Sequence, residues 1–278
     1  MAVGKVYMKN ILTVAGYDPS SGAGIVRDMD TFFSLGMHGL SAPTCSVVQG
    51  PGGVVALNPT PGKLFKEIIA IVGKEIPLHG IKVGVACDAY YVREIVHIVK
   101  LKRIPLVIDP VITAKNGLRL ITDAGLGTMI ARLFPLATVV TPNIDEASLI
   151  SGMKITKEEH MEEAARAILE KGPKAVVVKG GHLRGDPVDI FFDGEELVRW
   201  KRRRLKRVIH GTGCSFSASM ISCLVAGCSP KDAFFASEKL MHEMLKESYR
   251  IDKQGYFYIS TGIMNHIKLR ERTGTKRP

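Results

Sequence analysis

Short runs of consecutive apolar residues alternate with amphipathic stretches along almost the whole chain, and this alternation restricts the possible folds more than any other feature. A segment that is hydrophobic at every position has no face to offer to water. It must sit in a sheet covered on both sides, the habit of mostly parallel sheets. The runs at 11–15, 41–48, 80–85, 105–109, 137–141, 174–179 and 188–192 are the predicted strands. Helical patterns lie between them. In 158–171, Met161, Ala164, Ala165, Ile168 and Leu169 recur at the spacing that lines one face of a helix, and Gly172 follows as a stop. From 186 to 207 the pattern changes to two adjacent strands around Asp193-Gly194, a hairpin turn signal. The predicted class is α/β: a three-layer α/β/α sandwich with a mostly parallel central sheet and an antiparallel edge hairpin. No linker, internal repeat or low-complexity block divides the chain, so 1–267 reads as one domain and 268–278 as a basic, frayed tail.

Charge placement narrows the function classes. The net charge of +11 is concentrated in two segments: 199–207 (RWKRRRLKR) contributes seven positive charges and 268–278 a net four. The rest is balanced, which argues against a globally basic surface of the kind that coats nucleic acid. Five cysteines without a CxxC, and no His/Cys set at zinc-ligand spacing, suit a reducing cytoplasm. The first ten residues lack the apolar run of a signal peptide, and the uncharged stretch 208–230 is too rich in Gly, Ser, Thr and His for a membrane span.

Four strand-to-helix junctions carry polar residues. His210-Gly211-Thr212-Gly213-Cys214 precedes a small-residue helix expected to end near Gly227. Glycines directly before a helix let successive N–H groups point into one concavity, and the helix dipole reinforces the pull on an anion, so the turn is a candidate phosphate or oxyanion site; close packing is the alternative. Cys214 would lie in the first helical turn, where the dipole lowers a thiol pKa and fits it for service as a base; a small core residue is the other reading, and it is the one expected for Cys45, Cys87, Cys223 and Cys228. After the first strand, 15–24 (AGYDPSSGAG) is a glycine-rich connection in which Asp18 either caps the turn or meets ligand. Asn143 and Glu146 follow the strand at 137–141 as a capping box, or as oxygen ligands for Mg²⁺. Lys179 ends the strand at 174–179 and either faces an anion or snorkels to the rim. A P-loop and a complete GxGxxG are both missing, which excludes a P-loop NTPase and argues against a nicotinamide dehydrogenase.

Taken in order, AGYDPSSGAGIVRD, the strand end at Gln49, IKVG, VIDPVITAKNG, VVTPNIDEA, VVVKGGH and HGTGCSFSA resemble the ribokinase-like superfamily, and within it the hydroxymethylpyrimidine/phosphomethylpyrimidine kinases of thiamin biosynthesis. The resemblance runs over about 11–227. It implies ATP-dependent phosphorylation of 4-amino-5-hydroxymethyl-2-methylpyrimidine and then of its monophosphate. It further implies that Gly211, Thr212, Gly213 and Cys214 form the anion hole with Cys214 as base, and that Gln49 reads the pyrimidine edge with Gly16, Asp18, Ala23, Val47 and Val85 around the ring. Lys179, Asn143 and Asp109 fall to the nucleotide, Glu146 and Asp109 to Mg²⁺. The chain departs from the family's pattern at Ser21, where glycine is common, at 85–88 (VACD), where a Met is usual, and after Glu247, where a late glycine-rich stretch is missing. A homodimer is the expected assembly. Two alternatives stay open: a pyridoxal/pyridoxine kinase of the same fold, and a nucleic-acid-binding protein that uses 199–207.

Overall fold

Leu106, Val107 and Ile108 are all fully buried, and they feed two different cores, Leu106 and Ile108 one and Val107 the other. Successive side chains leave a strand on opposite faces, so a strand with no wet side requires helices above and below it. The computed structural model describes residues 8–50, 53–181, 183, 185–205, 209–250 and 257–261. They form β1 (Asn10–Tyr17), α1 (Gly24–Ser34), β2 (His38–Gly50), β3 (Gly53–Pro59), α2 (Gly62–Glu75), β4 (Gly80–Val83), α3 (Ala89–Lys102), β5 (Leu106–Ile108), α4 (Asp123–Thr128), β6 (Val139–Val140), α5 (Ile144–Ser151) and α6 (Glu158–Leu169). Then follow β7 (Val176–Val178), β8 (Val188–Phe192), β9 (Leu197–Lys201), β10 (Ile209–His210), α7 (Thr212–Ala226), α8 (Pro230–Lys246), β11 (Tyr249–Arg250) and β12 (Phe257–Tyr258).

The main sheet has nine strands in the order β3-β2-β1-β4-β5-β6-β7-β8-β9. The six from β2 to β7 are parallel, β3 at one edge and β8 beyond β7 run the opposite way, and β9, paired antiparallel with β8, forms the other edge. Residues of α2, α3, α5 and α6 fill the core on one face, and those of α1, α7 and α8 fill the other. The expected three layers and the hairpin edge are present. The β3 edge is an addition to the predicted strands: its apolar run, Val54–Leu57, is only four residues long, and its side chains are mostly half or fully exposed, with Val55 78% exposed. β6 spans only Val139–Val140 of the five positions expected. A small second sheet, β10-β12-β11, lies beside α7.

Helix α7 is apolar or small on nearly every side because it is wedged between α1, α8 and β4. Its approach to the sheet is close at Gly80, where a Cβ would meet Val225 at 2.5 Å and Ile221 at 3.1 Å.

Three arginines of the basic hairpin are held by groups of the protein itself. Arg199 donates to Glu162 at 2.6 Å, Arg202 pairs with Asp189 and Glu238, and Arg204 donates to the Gly185 carbonyl at 2.6 Å and the Gly181 carbonyl at 3.0 Å. The Trp200 ring packs edge-on against Phe235, which takes it away from the base-stacking role weighed above. Residues 206–208 of the basic run and the tail at 268–278 lie outside the described residues.

Glu238 is buried against Asp189, and burial together with that neighbouring carboxylate pushes its carboxyl up to about 10, with Arg202 pulling the other way. A carboxyl whose pKa is raised by folding adds stability that is complete below its unfolded value near 4.5 and drains away as the pH climbs toward 10. Glu238→Gln keeps the shape and a donor without the titration. Melting temperatures of the two proteins should converge below pH 4.5 and separate in favour of the variant as the pH rises, the gap levelling off near pH 10. A gap that does not change with pH would show that Glu238 is already ionised in the fold.

Candidate active site

The parallel strands end on one edge of the sheet, and four of the polar junctions meet there. Asp109 directly follows β5, Asn143 lies just beyond β6, and Lys179 directly follows β7 and forms an isolated parallel bridge with Asn143. Lys179 Nζ sits 2.8 Å from Asp109 Oδ1, and Ser217 Oγ donates to Asp109 Oδ2 at 3.3 Å. Burial works against the Lys179 charge, but Asp109 and Glu146 outweigh it and hold the ammonium above its ordinary value.

Asn143 and Glu146 form the reciprocal capping box at the start of α5: Asn143 Oδ1 accepts from the Glu146 N–H at 2.9 Å and Glu146 Oε2 from the Asn143 N–H at 2.7 Å. The cap does not account for the electrostatics of Glu146. Burial pushes its carboxyl up to about 8, Asp109 adds to the rise, and Lys179 opposes it. A buried acid beside a second carboxylate is a place where an added cation would restore a missing charge.

Over this cluster lies the first turn of α7. Gly211 takes the left-handed conformation at φ 85°, and a Cβ there would stand 2.4 Å from the Gly22 carbonyl oxygen. A Cβ on Gly213 would fall 3.4 Å from Lys179 Nζ and 3.6 Å from Asp109 Oδ2, so the open helix N-terminus and the Lys179 ammonium face the same space. Cys214 is half-buried, and the Gly24 N–H is directed at its sulfur. The expected depression of its thiol does not occur. Burial pushes the thiol up to about 11, Asp28 and Asp109 add to it, and the pull of Lys82 is too small to reverse it.

On the other side of α7, Asp18 is buried and its Oδ1 accepts from the Ser20 N–H at 2.9 Å and the Ser20 hydroxyl at 2.8 Å, while Oδ2 accepts from Gln49 Nε2 at 3.2 Å. Asp18 therefore does both things weighed from sequence: it caps its turn, and it fixes the Gln49 amide. Gly16 is buried, and a Cβ there would come within 3.0 Å of Cys45 Sγ and 3.9 Å of Val85 Cβ. Ala23 is the N-cap of α1, and Val47 is buried in β2, two residues before Gln49. The structure thus gathers Gly16, Asp18, Gln49, Val47 and Val85 around the β1–β2–β4 strand ends, and Lys179, Asp109, Asn143 and Glu146 around β5–β7, with α7 between.

Several residues that build this edge escaped the sequence reading. Lys82 and Asp28 are fully buried and paired at 2.8 Å, and Thr13 Oγ1 donates to Asp28 Oδ2 at 2.6 Å. The signal available was a lysine inside the apolar strand IKVG. Buried Arg27 donates to the Ser21 carbonyl at 2.8 Å and the Ile259 carbonyl at 3.1 Å, while its side chain lies against Gly211. Cys45 and Cys87 are buried as expected; Cys223 and Cys228 are half-buried, because they sit where α7 runs out into the surface. Residues 251–256, within the stretch that stands in place of the late glycine-rich loop, lie outside the described residues. Among the described residues no cluster of three or more His, Cys, Asp or Glu forms a metal cage, and no helix is long and apolar enough to cross a membrane.

A ribokinase-like α/β fold with an anion-directed helix at the carboxyl ends of its strands defines the class, and comparison with solved structures agrees. The pyridoxal kinase of Staphylococcus aureus in complex with AMP-PCP and pyridoxal matches at a TM-score of 0.85 and 28% identity, covering 94% of this chain and 96% of that one. The phosphomethylpyrimidine kinase of Clostridium difficile matches at 0.76 and 34%, covering 85% and 99%. Among curated relatives, the hydroxymethylpyrimidine/phosphomethylpyrimidine kinase of Streptomyces coelicolor is 36% identical over 82% of this chain and 86% of its own length. The thiamine biosynthesis bifunctional protein ThiED of Geobacter sulfurreducens is 35% identical over 93% of this chain, which spans about half, 52%, of that longer relative. The family model described as phosphomethylpyrimidine kinase matches residues 18–258, and the chain belongs to that family.

Two glycine positions test this geometry. Gly211→Ala places a methyl group against the Gly22 carbonyl in a conformation that alone costs about 1–3 kcal/mol, so the melting temperature should fall and kcat should drop roughly 10²–10³-fold as the N–H groups of the turn are displaced. Unchanged kinetics would mean that the turn does not hold the transferring group. Conversely, Ser21 occupies φ 57° where the family commonly has glycine, so Ser21→Gly should raise stability by about 0.5–1 kcal/mol in a denaturant titration.

Proposed function

We propose that this chain is an ATP-dependent kinase of 4-amino-5-hydroxymethyl-2-methylpyrimidine and of its monophosphate, acting as one domain over 1–267 in the cytoplasm and as a homodimer. The observation that carries the substrate reading is the Asp18–Gln49 contact. A carboxylate accepts only from the amide nitrogen, so Asp18 fixes which way the Gln49 amide faces. The amide oxygen is left to accept from an exocyclic amine, and the second N–H is left to donate to a ring nitrogen. The names of the relatives at 34–36% identity support the same substrate.

In this reading the N–H groups at Gly211, Thr212 and Gly213 bind the phosphoryl group in flight, and the α7 dipole adds positive potential. Lys179 binds the nucleotide phosphates, held in place by Asp109, while Asn143 orients from the cap of α5. Glu146 and Asp109 would supply hard oxygen donors to Mg²⁺, an ion that usually keeps water and phosphate oxygens in its shell. When bound, Mg²⁺ neutralises charge on the phosphates. Burial pushes the Cys214 thiol up to about 11, so at physiological pH the S–H form holds the substrate hydroxyl by a hydrogen bond, and only the minor thiolate form takes its proton. Phosphoryl transfer tolerates so scarce a base because the transition state is loose and the alcohol keeps its proton until bond formation is advanced.

Pyridoxal phosphorylation is the second reading. It rests on the closer overall superposition with pyridoxal kinases, 0.84–0.85 over 94% of the chain, than with the pyrimidine kinase, 0.76 over 85%. The nucleic-acid alternative has no comparable support, since Arg199, Arg202 and Arg204 are engaged within the protein and Trp200 packs on Phe235.

Turnover measured side by side on the pyrimidine, its monophosphate and pyridoxal separates the two kinase readings. The pyrimidine should win in kcat/KM by about tenfold or more, because a site that hydrogen-bonds an amine discriminates against a compound lacking it. Equal or better use of pyridoxal overturns the proposal. In the same assay Gln49→Ala should raise the pyrimidine KM with little change in kcat, whereas Cys214→Ala should lower kcat about 10–10²-fold and leave ATP affinity intact, a smaller loss than at Gly211. A fully active Cys214→Ala protein would remove Cys214 from proton transfer.

A further inference from the structure

At the far end of α7 from Gly211, the helix closes in a Schellman motif. Gly227 is left-handed at φ 111°, its N–H donates to the Leu224 carbonyl at 3.0 Å, and the Cys228 N–H donates to the Cys223 carbonyl at 3.0 Å. This geometry brings the residue after the left-handed glycine against the one five positions earlier, here Cys228 against Cys223. Cys228 lies close enough to raise the Cys223 thiol, and both residues are half-buried rather than enclosed.

Cys228 also lines a groove of about 810 Å³ formed by the amino-terminal approaches to β5, β6 and β7 and the end of α7. Lys100, Arg103 and Lys174 line the same groove, all three are exposed, and among the described residues none of them makes an ion pair. No acidic side chain lines it. A thiol among three unpaired cations, with a second thiol in contact behind it, has the parts of a disulfide-exchange site selective for acidic reagents.

We propose that Cys228 is a modification site for acidic low-molecular-weight disulfides, and that Cys223 resolves the adduct to a Cys223–Cys228 disulfide. In the first step the Cys228 thiolate attacks one sulfur of the reagent, a protein–reagent S–S bond forms, and one reagent thiolate leaves. In the second, the Cys223 sulfur attacks Cys228, the mixed disulfide breaks, and the second reagent thiolate leaves. The two protein thiols lose two electrons to the reagent disulfide, and their two protons end on the two released thiols. Cys228 acts first because it faces the groove, while burial and its neighbour push the Cys223 thiol up to about 11 and keep it protonated until the adduct is in place.

The reduced full chain is incubated with glutathione disulfide, and separately with cystamine, a cationic disulfide; products are mapped by peptide mass and rates are followed over time. The expected product is a Cys223–Cys228 bridge, with a glutathione adduct accumulating on Cys228 in Cys223→Ser. Glutathione disulfide should react faster than cystamine, and its rate should fall about tenfold or more in Lys100→Gln/Arg103→Gln/Lys174→Gln while that of cystamine does not fall. Should that variant fold poorly, the wild-type rate with glutathione disulfide should decrease as salt is raised, and that with cystamine should increase. Oxidation at Cys45, Cys87 or Cys214 instead, no adduct on Cys228, or rates indifferent to charge and salt would overturn the proposal.

Discussion

The whole edge depends on the contact between Gly211 and the Gly22 carbonyl. It allows the first turn of α7 to start against the turn that follows β1, and no side chain fits between them. Arg27 secures the junction from beneath by holding the Ser21 and Ile259 carbonyls, so three segments distant in sequence are fixed relative to one helix N-terminus. A helix start gains its hold on an anion from several N–H groups that point one way, and this alignment is lost if the turn shifts by a fraction of an ångström. Positioning of that kind is the larger part of what phosphoryl transfer asks of a protein.

Around this turn the chain buries more charge than stability alone would justify. Lys82–Asp28 lies wholly inside, and Lys179–Asp109 lies almost so. Buried pairs rarely stabilise a fold better than apolar residues of the same size, and breaking one by removal of a single partner costs about 3–5 kcal/mol. Their position gives them a different use. Lys82 pulls against the burial that raises the Cys214 thiol, and Lys179 shares the space above Gly213. Glu146 completes the set as a buried acid whose carboxyl is pushed up to about 8, mainly by burial.

The scaffold recurs in a pyridoxal kinase and in a phosphomethylpyrimidine kinase among the matched structures. Backbone superposition measures the scaffold, so a higher TM-score toward one kind says little about which ring is held. In the proposed function the contacts that tell the rings apart are local, and at Asp18 and Gln49 they would depend on the orientation of one amide. The departures at Ser21 and at 85–88 fall in the same neighbourhood: Ser21 is held in a left-handed conformation, and Cys87 shares that property at φ 54°.

The layered fold was legible because fully buried strands such as Leu106–Ile108 leave an unbroken apolar trace, and the glycine turn, the capping box and the hairpin each left a local signature at Gly211, Asn143 and Asp193. β3 left only the four-residue run Val54–Leu57, too short to tell a strand from a loop, and its exposure as an edge strand came from the fold. Sequence also placed Cys214 in the first turn of α7 but misjudged its thiol, since the helix dipole is a property of the local chain whereas burial and the carboxylates of Asp28 and Asp109 come from elsewhere. Lys82, Asp28 and Arg27 became visible only once β4, α1 and the C-terminal strands were packed together. What the sequence by itself determined was whatever spacing along the chain controls: strands, helix starts and the turns between them. The tertiary structure decided which charges meet, how deeply they are buried and which carboxylate aims Gln49, because Coulomb and desolvation energies depend on distances through space that the order of residues does not contain.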